Sequence, residues 1–173
     1  KFVLPSASAY GFAKEKAALY FVTKEDKDGK KPGMYLWTAE KPQPILIKEG
    51  KGVFVQPAFD KAGSKLAFLY TDNKKEKDYT MALWISENAG EAREIVNRTT
   101  AGLPEGWVVS PNQRLSFSDD AARLFLGTAP APLRKDSTIL EANRPNVQVW
   151  KWDEPVQYTV QHFNVKRDLK KAY

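Results

Sequence analysis

Short apolar runs of period two recur along the chain, broken by charged or turn-forming stretches. Leu66, Phe68 and Tyr70 alternate with Ala67 and Leu69, and further on Met81, Leu83 and Ile85 alternate with Ala82, Trp84 and Ser86. The period and the β-favouring residue types predict strands, not helices. Both alternating sets are largely apolar, which predicts a sheet covered on both faces. Residues 24–31 hold seven charged side chains in eight positions and predict a solvated hairpin tip, and residues 73–78 predict a second. Residues 91–96 have helical propensity. They read as a fourth strand all the same, because residues 45–48 and 156–160 fall at equivalent places.

The runs repeat. Ala17-Ala18-Leu19-Tyr20-Phe21-Val22-Thr23 is followed by Tyr35-Leu36-Trp37, and Lys65-Leu66-Ala67-Phe68-Leu69-Tyr70-Thr71 by Ala82-Leu83-Trp84. Arg123-Leu124-Phe125-Leu126-Gly127-Thr128 is followed by Gln148-Val149-Trp150. The tryptophans are 47 and 66 residues apart, the longer interval holding an extra loop at residues 130–145. Phe59-Asp60-Lys61-Ala62-Gly63-Ser64-Lys65-Leu66 also matches Phe117-Ser118-Asp119-Asp120-Ala121-Ala122-Arg123-Leu124, at a constant offset of 58.

About four strands every 40–50 residues is the pattern of a β-propeller blade. The expected fold is therefore all-β, with about three four-stranded antiparallel blades at residues 10–48, 53–97 and 108–161. Residues 162–173 would start a further blade, and the chain 1–173 would be one partial propeller domain. A closed propeller has at least about four blades. The chain therefore reads as a piece of something longer, in keeping with its first residue, Lys1. Open blade faces predict self-association.

Composition narrows the chemistry. The 173 residues suffice for one core, and 42% hydrophobic with 28% charged residues is globular rather than disordered. The formal charge is +6, and half of it sits in the last eleven residues. No basic stripe interleaved with aromatics follows, so no nucleic-acid partner is expected. Cysteine is absent, which excludes disulfides and thiolate chemistry, and a single histidine excludes a two-histidine metal site. No run of 18 apolar residues predicts a membrane-spanning helix.

The remaining candidates have plain structural readings. His162 is of the type that serves as a general base, but no Ser or Cys stands beside it in an activating motif. Asp119-Asp120 could ligate a cation, yet Lys61 takes the matching place in the preceding repeat, so a β-turn is expected. Gly50-Lys51-Gly52 opens a G-x-G-x-x-G pattern that Val55 ends. Asn97-Arg98-Thr99 is a glycosylation sequon. Trp37, Trp84 and Trp150 recur at one repeat position and predict packing between blades, with Trp152 on the same strand face as Trp150. Trp107, in Pro104-Glu105-Gly106-Trp107, is expected in a loop and is the best candidate for an exposed contact residue. No catalytic, cofactor-binding or metal residue is assigned.

The units beginning Pro57-Ala58-Phe59-Asp60 and Leu115-Ser116-Phe117-Ser118, with Leu83-Trp84-Ile85, resemble the repeats of TolB-like propellers. Asn146-Val147-Gln148-Val149-Trp150-Lys151-Trp152-Asp153-Glu154-Pro155, continuing to Gln157 and Lys166-Arg167-Asp168, resembles the N-terminal propeller region of bacterial prolyl oligopeptidase family peptidases, particularly those of Bacteroidetes. Gln148 stands where that family often has Asp.

The resemblance implies a parent protein in which a propeller covers a C-terminal α/β-hydrolase domain with a Ser-Asp-His triad. It also favours a periplasmic or secreted parent and argues against use of the sequon. This chain has no G-x-S-x-G elbow and no Glu-Glu pair of the kind that holds a substrate amine in dipeptidyl peptidases of the family. The expected role is thus non-catalytic: gating and orienting peptide substrates for a hydrolase domain. The alternative is a TolB-like propeller that binds a protein partner without peptidase activity.

Overall fold

A computed structural model describes residues 7–24, 31–73, 78–88, 90–132 and 151–173. The described residues are mostly β, in four antiparallel sheets with one α-helix.

The first sheet is a meander of β1 (Ala7–Phe12), β2 (Ala18–Thr23), β3 (Gly33–Thr38) and β4 (Lys41–Glu49), hydrogen-bonded in chain order. The second repeats it with β5 (Val53–Phe59), β6 (Lys65–Thr71), β7 (Thr80–Ile85) and β8 (Arg93–Val96). The expected strands at residues 45–48 and 91–96 are thus present as the ends of the two meanders. Thr23 pairs with Gly33, the last described pair of the first hairpin. Residues 25–30 and 74–77 of the two expected tips lie outside the described residues.

The third unit is a hairpin broken in the middle. β9 (Trp107–Ser110) pairs with β12 (Gly127–Pro130), and β10 (Ser116–Phe117) pairs with β11 (Leu124–Phe125). Residues 133–150, where further strands of this unit and Trp150 were expected, lie outside the described residues. The described sheets do not close into a ring.

The repeat is real at the level of single hydrogen bonds. Ala13 N donates to Ala18 O at 3.0 Å, Asp60 N to Lys65 O at 3.1 Å, and Ser118 N to Arg123 O at 3.0 Å. These are the same turn at offsets of 47 and 58. Ala39 N to Ala17 O and Ser86 N to Ser64 O form another pair at 47. Strand register agrees: Leu19 faces Trp37, and Leu66 faces Trp84. The tryptophan spacing of 47 therefore holds for the strands too, which shifts the expected pairing of residues 17–23 with 65–71 by one position.

Cross-strand partners share a face, so Phe12, Leu19 and Trp37 lie together, with Phe21 beyond Leu19 on β2. At an offset of 47 stand Phe59, Leu66, Phe68 and Trp84, identical in type and in register. The third unit carries Phe117, Leu124 and Leu126 at an offset of 58 from Phe59, Leu66 and Phe68.

These faces organise the core. Leu66, Phe68 and Trp84 are buried against Val22, Met34, Leu36 and Ile47 of the first sheet. The opposite face of the second sheet, with Ala67, Leu69 and Met81, is buried against Val109 and Leu115, with Phe117, Leu124 and Leu126 packed around them. Consequently Leu66, Ala67, Phe68 and Leu69 on β6 are all at 0% exposure, as two apolar alternating sets require. The second sheet is covered by the first, and the third unit by the second.

The C-terminal segment departs from expectation. Residues 156–160 do not form a fourth strand, and 162–173 do not start another sheet. Tyr158–Asp168 is a helix, α1. The residues are β-favouring, but a strand satisfies its N–H and C=O groups only with a partner strand, whereas a helix satisfies them locally. Among the described residues that partner is absent. The last residue does pair: Tyr173 N donates to Thr128 O at 2.8 Å, and Thr128 N to Tyr173 O at 2.7 Å, beside β12.

Candidate functional site

Two features of the stack stand out: a polar seam between the first two sheets and an aromatic face on the outside of the first. The seam forms where β4, β6 and β8 come together. Lys48, near the end of β4, places Nζ 3.1 Å from Glu94 Oε1 on β8. The same oxygen accepts from the Tyr70 hydroxyl on β6. Lys48 Nζ also stands 4.4 Å from the centre of the Tyr70 ring, a cation–π distance. Lys48 reaches the seam because a bulge between Met34 and Tyr35 turns both Ile47 and Lys48 toward the second sheet.

The three groups tune one another. Burial, then the bond to Glu94, raises the Tyr70 hydroxyl above its ordinary range. The bond from Tyr70, then that from Lys48, holds the Glu94 carboxyl below its ordinary range. Burial alone would lower Lys48, but its hydrogen bonds to Tyr70 and Glu94 outweigh this and leave it raised. All three shifts favour the bonded state, so the seam is a clasp between sheets rather than a group poised for proton transfer. Sequence reasoning missed it. Lys48, Tyr70 and Glu94 are separated by 22 and 24 residues, and only strand register combined with sheet stacking brings them together.

On the opposite side of the first sheet, cross-strand pairing gathers Tyr10, Phe12, Leu19, Phe21, Tyr35 and Trp37. Phe21 and Tyr35 stack with ring centres 5.3 Å apart, and Tyr10 meets Phe12 edge-on at 6.1 Å. Tyr10 and Phe12 are 67% and 70% exposed. Gly11 belongs to this arrangement by its lack of a side chain: a Cβ there would lie 2.6 Å from the Tyr20 ring packed over it on the inner face.

The residues singled out from sequence are scattered. Trp107 opens β9 instead of lying in a loop, opposite Pro130, half-buried with its ring 5.8 Å from that of Tyr173. Trp152 is not on a strand. It sits in a turn, 98% exposed. His162 is exposed on α1, its ring 5.9 Å from that of Tyr158. Ser8, Ser64 and Ser118 donate to Val22 O, Asp60 Oδ2 and Asp120 Oδ1, so none of these hydroxyls is paired with the histidine.

Asp120 Oδ1 also accepts from Ala122 N at 3.0 Å, the bonding of a β-turn. Its carboxyl is held low by Ser118 and then by Ala122. Among the described residues no group of three or more metal-ligating side chains forms, and no helix is long and apolar enough to cross a membrane. Asn97 uses its side chain within its own turn, accepting from Thr99 N at 2.9 Å.

The chain matches no known family and no curated protein.

Proposed function

We propose that this chain is the non-catalytic β-propeller portion of a prolyl-oligopeptidase-like serine peptidase, each unit being one blade. The observation that carries the propeller half is the Phe-Leu-led face of the second and third units, covered in both by the preceding sheet. Blades of a propeller pack in this radial sequence. The peptidase half draws on the likeness of residues 146–157 to that family's propeller region; of these, 146–150 lie outside the described structure.

In this reading the hydrolase domain would carry the triad, and the propeller would act by exclusion. It would admit extended peptides, hold back folded protein, and keep bulk water from the reacting centre. The aromatic and aliphatic packing between blades would give the rigidity such a filter needs. No side chain here is asked to attack or to transfer a proton.

The test has two arms. The coding sequence beyond Tyr173 is expected to contain G-x-S-x-G, then Asp, then His, in that order. The 173-residue chain alone is expected to resist labelling by a fluorophosphonate probe. A labelled serine would overturn the non-catalytic role. A coding sequence without the hydrolase signature would overturn the peptidase half and favour a protein-binding propeller module.

A further inference from the structure

We propose that the side of β12 away from β9 is a binding site for an extended peptide segment carrying an aromatic residue, and that Ala172-Tyr173 is its occupant in cis. The inference goes beyond the reading above and depends on neither half of it.

The contacts define the ligand. Thr128 and Tyr173 exchange both backbone bonds, at 2.7 and 2.8 Å, which is the hydrogen-bonded pair of an antiparallel ladder. The Thr128 hydroxyl donates to the same Tyr173 oxygen at 3.1 Å. Thr128 and Pro130 alternate onto one face of β12, and Trp107 lies opposite Pro130, so Trp107 shares that face. A residue paired with Thr128 from the far side sends its side chain the same way, and the Tyr173 ring stands 5.8 Å from that of Trp107. Gly127 allows the close approach: a Cβ there would lie 3.2 Å from Ala172 Cβ. The backbone bonds accept any extended segment, and the Trp107 ring selects an aromatic one.

The occupant arrives from afar and is lightly held. In the first two sheets the strand at this place follows directly, β3 beside β2 and β7 beside β6. Thr128 matches Tyr70 at the offset of 58, and Tyr70 pairs with Thr80. In the third unit the place beside Thr128 is taken by a residue 45 positions further on, beyond α1. Tyr173 is 72% exposed, and neither it nor Trp107 belongs to a core cluster. A backbone pair, a hydroxyl bond and a ring contact are all that a peptide has to reproduce in trans.

The probe is acetyl-Lys-Lys-Ala-Tyr-amide, the sequence of residues 170–173. The protein is labelled with 5-fluorotryptophan, and the Trp107 resonance is assigned with a Trp107→Phe variant. The 173-residue chain is compared with one that stops at Lys171. Removing Ala172 and Tyr173 should shift the Trp107 signal and leave that of Trp84, buried in the stack, in place. Titrated peptide should return the Trp107 signal saturably. Its apparent affinity should be at least about tenfold higher for the shortened chain, because in the full chain the cis segment competes at high effective concentration. A peptide with Ala in place of Tyr, and one N-methylated at the Tyr amide, should each bind at least about tenfold more weakly. Tyr173→Ala in the full chain keeps the backbone pair but removes the ring, and should give an intermediate affinity.

A peptide that produces no saturable shift of Trp107 while Trp84 stays in place overturns the proposal. So does equal affinity for the two chain lengths, or equal affinity of the Tyr and Ala peptides. A Trp84 signal that moves when the two residues are removed also overturns it, by assigning them to the fold instead of to an exchangeable site.

Discussion

Ala121 holds the backbone conformation that Gly63 holds in the matching turn of the preceding unit, with φ of 52° against 67°. The hydrogen bonds around them correspond: Gly63 N donates to Asp60 O at 3.2 Å, and Ala121 N to Ser118 O at 2.9 Å. The turns differ in what closes them. Lys65 N is bound by the Asp60 carboxylate at 2.7 Å, and Arg123 N by the Ser118 hydroxyl at 2.9 Å.

A left-handed conformation costs an L-residue roughly 1–2 kcal/mol, and glycine almost nothing. Gly63→Ala would add that cost and place a Cβ 2.7 Å from Lys16 Cβ and 3.1 Å from Ala13 Cβ. It should destabilise by about 2 kcal/mol, lowering Tm by roughly 4–8 °C in a chain of this size. Ala121→Gly removes the strain but frees the unfolded chain, and should leave stability unchanged or raised by up to about 1 kcal/mol. Thermal melts of the two variants check the asymmetry. Equal losses in both would show that the turns are not equivalent.

Trp84 and Trp37 occupy the same repeat position but not the same surroundings. Trp84 is 4% exposed between two sheets, whereas Trp37 is half-buried on the outer face. Trp84→Ala should cost about 3–5 kcal/mol, the range for a large aromatic removed from a packed core. Trp37→Ala should cost at least about 1 kcal/mol less, since part of its surface already meets water. Urea unfolding of both variants gives the difference. Equal costs would mean that the outer face is as fully packed as the inner one.

Much of this architecture was legible in the chain because it depends on short-range pattern. Period-two alternation marked β6 and β7, the repeat alignment marked β2, and apolar residues on both alternating sets of β6 announced that it would be covered twice. The turns at Asp60 and Ser118 were readable from their shared spacing. What was not legible depends on partners. Residues 156–160 look like a strand, but strand identity needs a neighbour, and locally they satisfy themselves as α1. Trp107 looked like a loop residue because Pro104 and Gly106 precede it, and nothing local reveals that it opens β9 opposite Pro130. The Lys48–Tyr70–Glu94 clasp arises from three strands in two sheets, so no window of sequence contains it. Positive φ at Gln56, within the bulge of β5, also carries no glycine to signal it.

The clasp should make stability depend on pH at both extremes. The folded pKa of Glu94 lies below the usual 4.5. Its stabilisation is therefore present above that value and lost as pH falls through the folded pKa. Tyr70 and Lys48 are raised above 10.0 and 10.5. Their contribution is whole below pH 10 and lost as pH rises through the raised values. Glu94→Gln should lower stability at pH 7 by only about 1 kcal/mol, because Glu94 is largely solvent-exposed and such pairs are screened. It should also flatten the decline between pH 5 and pH 3 relative to the unaltered chain. Urea midpoints at pH 3, 5 and 7 measure this, and parallel pH slopes in the two proteins would show that Glu94 carries none of the acid sensitivity.

Helix α1 should behave as a unit apart from the stacked sheets. Phe163 on the helix and Leu169 just after it are 87% and 78% exposed, so packing adds little to it. Its N-cap, Gln157, has ψ of 140° but makes no side-chain cap bond, which leaves the first-turn N–H groups without that acceptor. An eleven-residue helix without packing is marginal in water. Gln157→Asp supplies a cap acceptor and a negative charge at the positive end of the helix dipole, and should favour the helix by about 1 kcal/mol. His162→Pro removes an internal hydrogen bond and should melt it, at a cost of about 3 kcal/mol to the helix alone. Circular dichroism at 222 nm should rise in the first variant and fall in the second. The cooperative unfolding of the sheets, followed by Trp84 fluorescence, should keep its Tm to within about 1 °C in both, since α1 contributes no residue to either core cluster. A sheet transition that moves with helix content would mean that α1 is packed on the stack and supports it.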